Sequence, residues 1–306
     1  MSLSVLEKNI IKTLVYYDIF SYPLTAEEIF QNLRINHTSE VEVKNLLGNL
    51  VSKKLLFQKG NYYLLKNDNS YIMRREKGNK LAQKRMKTAR RMSWLISKFP
   101  FIRATLLSGS LSKGFMEADS DIDFFVITHP NRLWFSRSAL MIFKKIFLLN
   151  SKRIFCINYF VDSENLEIKE KNIFTATELI TLIPTFGPSV YDELYNKNIW
   201  IREFYPNFPK RVADNALPEN MGIVKFLLEK ILGTKLGDML DDYFMRMFEK
   251  HNRKKYKKYD SAEYKIAFKS NKKESKHHPK FFQKKVLEEL NRKINILERE
   301  LHISLS

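Results

Sequence analysis

The stretch "LLSGSLSKGFMEADSDIDFFVIT", Leu106 to Thr128, decides how this chain is read. It places Glu117, Asp119, Asp121 and Asp123 within seven residues of a chain whose formal net charge is +19. Gly109 and Ser110 stand ahead of those acids and an apolar run follows them. "ATLLS" before the Gly-Ser pair and "DFFVIT" after the acids both predict β-strands. Glycine in such a turn lets backbone approach a phosphate closely, and the serine hydroxyl and nearby amides can donate to its oxygens. Alternate residues of a strand point the same way. Asp121 and Asp123 are therefore expected to project as a pair, with Ile122 on the other side. Two hard carboxylates beside a phosphate-binding turn suit Mg²⁺, which takes oxygen ligands shared between carboxylates and substrate phosphates.

The flanks extend this pattern. From Ile72 to Phe99 the chain reads as one helix, weakened at Gly78 because a mid-helix glycine costs about 1 kcal/mol against alanine, and closed by Pro100. A helix from Arg132 to Phe147 and a third strand, Arg153 to Val161, follow the motif. After Phe174 the pattern turns mainly helical, with breaks at Pro184, Gly187 and Pro188. The expected fold class is α+β, a small mixed sheet flanked by helices.

Three helix starts open the chain. Ser4-x-x-Glu7, Thr25-x-x-Glu28 and Ser39-x-x-Glu42 each match the capping box, and helical apolar spacing follows each one. "LLFQKGNYYLL" then predicts a hairpin about Lys59-Gly60-Asn61. Three short helices and a hairpin over Val5–Leu65 resemble a winged helix-turn-helix. Its third helix would offer Glu40, Glu42, Lys44, Asn45 and Asn49 to DNA, and two carboxylates there would face phosphates. A packing or partner-binding module is the reading this surface favours.

Gly109-Ser110, Lys113-Gly114 and Ser120-Asp121-Ile122-Asp123 before the apolar run together resemble the signature of the nucleotidyltransferase superfamily of DNA polymerase β, over about Ala104–Val161. The resemblance implies Mg²⁺-dependent transfer of a nucleoside monophosphate, with ATP as the expected donor and Mn²⁺ as an alternative metal, and release of pyrophosphate. It assigns Gly109 and Ser110 to phosphate and Asp121 and Asp123 to metal. Lys113 is either a further phosphate contact or a solvated lysine. The superfamily supplies a third carboxylate from a following strand, where this chain has Asn158. Asn158 as a neutral ligand, Asp162 in its place, or a degraded second metal site all fit that departure. Glu178 is either a separate base or a helix-surface glutamate.

The charge is concentrated. Arg74–Arg91 carries a surplus of eight positive charges and Lys250–Lys285 a surplus of eleven, together the whole net charge. Two such blocks suit a polyanion, nucleic acid or acidic lipid heads, or else are solvated faces. Cys156 is the one cysteine, so no internal disulfide is expected, in keeping with a reducing cytosol. The N-terminus lacks a signal-peptide pattern. Leu133–Leu149 holds Arg137, Lys144 and Lys145, which argues against a bilayer span. The expected localisation is cytoplasmic. Arg246-x4-His251 has a loose ribonuclease-like spacing, and His277-His278 has no partner at metal-ligand spacing. The expected organisation is a winged-helix-like domain at 1–70, a basic helix at 71–100, a nucleotidyltransferase core at 101–172 and a helical region at 173–306. The competing functional reading is a nucleic-acid-binding or regulatory protein whose core senses nucleotide or is inactive.

Overall fold

The computed structural model describes residues 3–36, 38–151, 153–219, 222–260, 264, 267–277 and 281–305, with backbone alone for Asn158 and His277. The N-terminal part contains α1 (Val5–Asp18), β1 (Leu24–Thr25), α2 (Ala26–Gln31), α3 (Glu40–Ser52), β2 (Phe57–Lys59) and β3 (Tyr62–Leu64). Reciprocal capping boxes start α1 and α2, from Ser4 with Glu7 and Thr25 with Glu28. Ser39 caps α3 from one side only. Its hydroxyl accepts from the Glu42 amide, while the Glu42 carboxylate accepts from the Thr38 hydroxyl at 2.8 Å. β1, β3 and β2 pair in that order as a small antiparallel sheet.

Asp68 caps the long helix α4 (Asn69–Ser97), whose inner face carries Gly78, Ala82, Ala89, Ser93 and Ile96. Gly78 is required by a neighbour: a Cβ there would lie 2.1 Å from the ring of Phe115, in the loop of the opening motif. The Met116 amide also donates to the Gly78 carbonyl at 3.2 Å. The residue that weakens the helix therefore lets the motif loop seat against it.

The main chain of elements continues as β4 (Ile102–Ser108), α5 (Gly109–Ser112), β5 (Asp123–Thr128), α6 (Leu133–Phe147), β6 (Cys156–Asp162), α7 (Ile173–Ile180), β7 (Ile183–Phe186), α8 (Pro188–Lys197) and α9 (Ile201–Phe204). Then come α10 (Ile223–Leu232), α11 (Lys235–Lys255), β8 (Phe268–Ser270), β9 (Glu274–His277) and α12 (Phe282–Leu301). The strands form one mixed sheet in the order β7-β4-β5-β6-β9-β8, with β5 and β6 parallel and the other pairs antiparallel. The parallel pair needs a crossover, and α6 supplies it.

Period-two alternation divides the sheet between two cores. Ala104, Leu106, Phe125, Ile127 and Val161 share one core with α1–α3, α7–α9 and α12. Leu107, Phe124, Val126, Ile157 and Phe160 share the other with α4 and α6. The fold is thus α+β, a mixed sheet flanked by helices.

The region after Phe174 is not helical throughout. β7, β8 and β9 come from it and extend the sheet at both ends. β7 contains Pro184, which lacks an amide hydrogen and is tolerated because β7 is an edge strand. In β8 and β9 lysines, serines and a glutamate stand where apolar alternation would have marked a strand. The hairpin is held partly by ion pairs, since Glu170 accepts from Lys269 at 2.8 Å and from Lys276 at 3.0 Å.

One joint positions the second flank of the site. α6 has no side-chain cap of its own. Asp241 of α11 reaches across and accepts from the Phe135 amide at 2.8 Å, and also receives the Trp134 amide. Arg132 binds Asp238 at 2.5 Å and the Leu232 carbonyl at 3.0 Å, so α6 and α11 are fastened at the same end.

Candidate active site

Gly109 and Ser110 turn the chain directly out of β4, and Asp123 opens β5 beside them, with Ser108 and Asp123 as register partners. Gly109 has φ +66°, a left-handed backbone that favours glycine. Ile122 is fully buried in the core shared with α4 and α6. Asp121 precedes the strand. Asp121, Asp123, Gly109, Ser110 and Lys113 all line one cavity of about 1980 Å³. Five of the six expected site residues therefore meet at one wall.

The acids of the motif take separate roles. Glu117 leaves the cluster to bind Arg74, whose Nε donates to it at 2.9 Å. Asp119 is exposed. Burial pushes the Asp123 carboxyl up to about 6, with the negative charges of Asp121 and Glu178 adding to it and a hydrogen bond from the Cys156 thiol opposing it. Burial and the charges of Asp123 and Asp121 push the thiol itself up to about 12. Cys156 is thus a neutral donor to Asp123.

Glu178 belongs to the site. It sits on α7, lines the cavity and accepts from Lys113 at 2.9 Å. Lys113 Nζ also donates to the Gly109 carbonyl at 3.0 Å, tying the Gly109-Ser110 turn to α7. The lysine is therefore engaged by the turn and by Glu178.

Of the accounts offered for a third ligand, the strand register excludes Asp162. The β6 residue directly across from Asp123 is Cys156. Register shifts between the pairs Phe124–Ile157 and Phe125–Tyr159, which leaves Asn158 as the extra residue of a bulge. The side chain of Asn158 lies outside the described residues. Asp162 pairs with Thr128 at the opposite end of β5 from Asp123. Its Oδ1 accepts from the Glu164 amide at 3.0 Å and from Asn165 Nδ2 at 2.6 Å. Asp162 is a turn cap, removed from the cluster because the parallel register carries it the length of the strand. Sequence reading missed Cys156, whose only signal was its place at the head of the strand.

The two weaker patterns part company. His251 lines the cavity from α11, whereas Arg246 is exposed on the same helix and does not line it. His278 lies outside the described residues. Among the described residues no group of three or more His, Cys, Asp or Glu is arranged to hold a metal ion by itself. Asp121 and Asp123 offer two hard carboxylates, so a divalent ion here would take its remaining ligands from substrate phosphates and water. The donor set fits that use, since Asp123 is half-buried beside two further acids with one nearby lysine.

The basic segments divide in the same way. Arg75 is buried and binds Glu28 through two bonds of 2.7 Å. Lys77, Lys80, Lys84, Lys87 and Arg91, by contrast, form one exposed stripe along α4 at helical spacing. In the second segment Lys265 and Lys280 lie outside the described residues, and Lys269 and Lys276 are internal to the sheet edge. Among the described residues no helix is long and apolar enough to cross a membrane. Compared with known proteins, the chain matches no family model, no curated protein and no solved structure.

Proposed function

We propose that this protein is a Mg²⁺-dependent nucleotidyltransferase that moves a nucleoside monophosphate from a nucleoside triphosphate, with ATP the expected donor, to an acceptor hydroxyl. The observation that carries the reading is the seating of the Gly109-Ser110 turn against Asp123, with Asp121 on the same cavity wall. Phosphate binding and metal ligation then fall on adjacent strand ends, as the resemblance to the DNA polymerase β superfamily implies.

In this reading the Gly109-Ser110 turn holds the phosphate tail, and Lys113, fixed by Glu178, adds positive charge beside it. A divalent ion bound by Asp121 and Asp123 would polarise the phosphoryl oxygens and stabilise charge on the leaving pyrophosphate. The acceptor oxygen attacks the α-phosphorus, the bond to the pyrophosphate oxygen breaks, and the acceptor proton passes to a carboxylate. Glu178 is the candidate for that proton among the groups outside the metal pair. The N-terminal helices and small sheet read best as a winged helix-turn-helix used for packing or partner binding, because α3 exposes Glu42, Lys44, Asn45 and Asn49.

A second reading, a nucleic-acid-binding protein with a sensing or inactive core, is favoured by one observation, the exposed cation stripe on α4. The two readings separate in one experiment. Incubation with radiolabelled nucleoside triphosphates, Mg²⁺ and host lysate should give labelled product that disappears in Asp121→Ala/Asp123→Ala. Label that persists in the double variant removes the enzyme reading.

A further inference from the structure

The cavity has a second polar wall. Arg137 of α6 is 4% exposed, lines the cavity and has no hydrogen-bond partner for Nε and Nη1. Its guanidinium lies 4.4 Å from the ring centre of Phe248 on α11 and 5.2 Å from that of Phe160 on β6. Asn252, one turn beyond Phe248, is 2% exposed, lines the same cavity and has an unpartnered Nδ2. Burying an unpaired charge is costly, and burying unpaired donors adds to the cost. Two such residues on facing helices, beside a cavity, offer it donors of the kind that suit an oxyanion.

The surrounding charge agrees. Lys144, two turns along α6 from Arg137, and Lys255 of α11 line the cavity as well, and the α6 and α11 residues that line it include no acid. Burial pushes the Arg137 guanidinium down to about 10, a second sign that it lacks a counter-charge. Nothing on the Gly109 side explains this cluster. Arg137 stacks on Phe160, on the α4 and α6 face of the sheet, whereas Asp123 alternates with Phe124 and shares the opposite face with Phe125.

We infer that Arg137 and Asn252 form an oxyanion subsite for a phosphate group. The inference does not depend on the nucleotidyltransferase reading. Arginine suits a phosphate there because its planar fork of donors matches paired oxygens. A phosphorylated small molecule and a nucleic-acid end present the same chemistry to it.

The test uses thermal melting of the full chain at about 0.15 M ionic strength, where exposed charges more than about 8 Å apart are largely screened. Inorganic phosphate and Mg-ATP are the probes, applied to the wild type, Arg137→Met, Asn252→Ser and Asp121→Ala/Asp123→Ala. The expected result is a phosphate-induced rise in Tm that vanishes in Arg137→Met and shrinks in Asn252→Ser, with the Mg-ATP shift kept in both. Without ligand, Arg137→Met should melt no lower than the wild type, because an unpaired buried charge has been removed. A full phosphate shift in Arg137→Met overturns the subsite. If Arg137→Met does not fold, an undiminished shift in Asn252→Ser does the same. Loss of the Mg-ATP shift along with the phosphate shift places the oxyanion on the nucleotide's own tail and overturns a separate subsite. The phosphate shift should survive in the metal-site double variant. A Mg-ATP shift that also survives there defeats the nucleotidyltransferase reading while leaving the oxyanion site standing.

Discussion

A Cβ placed on Gly109 would lie 2.5 Å from Oδ2 of Asp123, so the Gly109-Ser110 turn and the half-buried carboxylate are built into each other. The turn can be this close only because Gly109 has no side chain and holds φ +66°. Gly109→Ala combines both faults. The left-handed backbone costs about 1–2 kcal/mol for a non-glycine residue, and Asp123 must move from its position across from Ser108. The expected outcome is a stability loss of that order in urea, with Mg-ATP binding lowered well beyond it when followed by calorimetry. Unchanged binding in a folded Gly109→Ala protein would separate the turn from the nucleotide.

The α4 stripe makes a prediction about salt. Lysines that neutralise phosphates release counterions, and each contact adds about −0.9 to the slope of log K against log salt for duplex DNA. Replacing Lys77, Lys80, Lys84, Lys87 and Arg91 with glutamine should flatten that slope by about 4 if all five engage. The loss should be similar across sequences, because phosphate contacts carry no base information. A slope left unchanged in fluorescence titrations would return the stripe to a solvated face.

Asp241 predicts a pH dependence. Burial holds its carboxyl up at about 6, despite the two amides it receives from Phe135 and Trp134. The folded state therefore binds this proton more tightly than the unfolded chain does. The resulting stability is present in full below about pH 4 and is lost as pH rises through about 6. Its size is bounded by about 3 kcal/mol, from a shift of roughly two units. Asp241→Asn keeps an acceptor for the α6 amides and cannot titrate. Its unfolding free energy should vary less between about pH 4 and 6 than that of the wild type, measured by denaturant titration at each pH. Equal pH slopes would show that Asp241 titrates normally.

Parts of this fold are written locally and parts are not. Ser4, Thr25 and Ser39 announce their helices because a cap needs only its own turn. Asp121, Asp123 and Gly109 could be grouped from sequence because both strand ends lie within one short motif. Local pattern cannot reveal register. Asp162 looked available at the end of the strand, yet the parallel pairing with β5 carries it away from Asp123, and the register puts Cys156 there instead. Nor can local pattern reveal β8 and β9, whose charges are balanced by Glu170 from a distant loop. Gly78 carried a misleading local signal, a helix weakness that tertiary contact with Phe115 turns into a requirement.

Cys156 supplies the last test. It lies directly across from Asp123 on the parallel strand, and its thiol donates to that carboxylate. A third acid at this position would share the face and the strand end of Asp123. Cys156→Asp should therefore tighten divalent binding, on the order of tenfold for about 1.4 kcal/mol of added attraction. It should also destabilise the metal-free protein above neutral pH, since a second buried carboxylate is placed beside the first. Cys156→Ala removes only the donor and should leave divalent affinity within a few-fold of the wild type. Calorimetry with Mn²⁺ and melting with and without metal read both effects. If Cys156→Asp lowers stability and added metal fails to restore it, the head of β6 does not face the metal. The chain's two aspartates must then act without a third ligand from that strand.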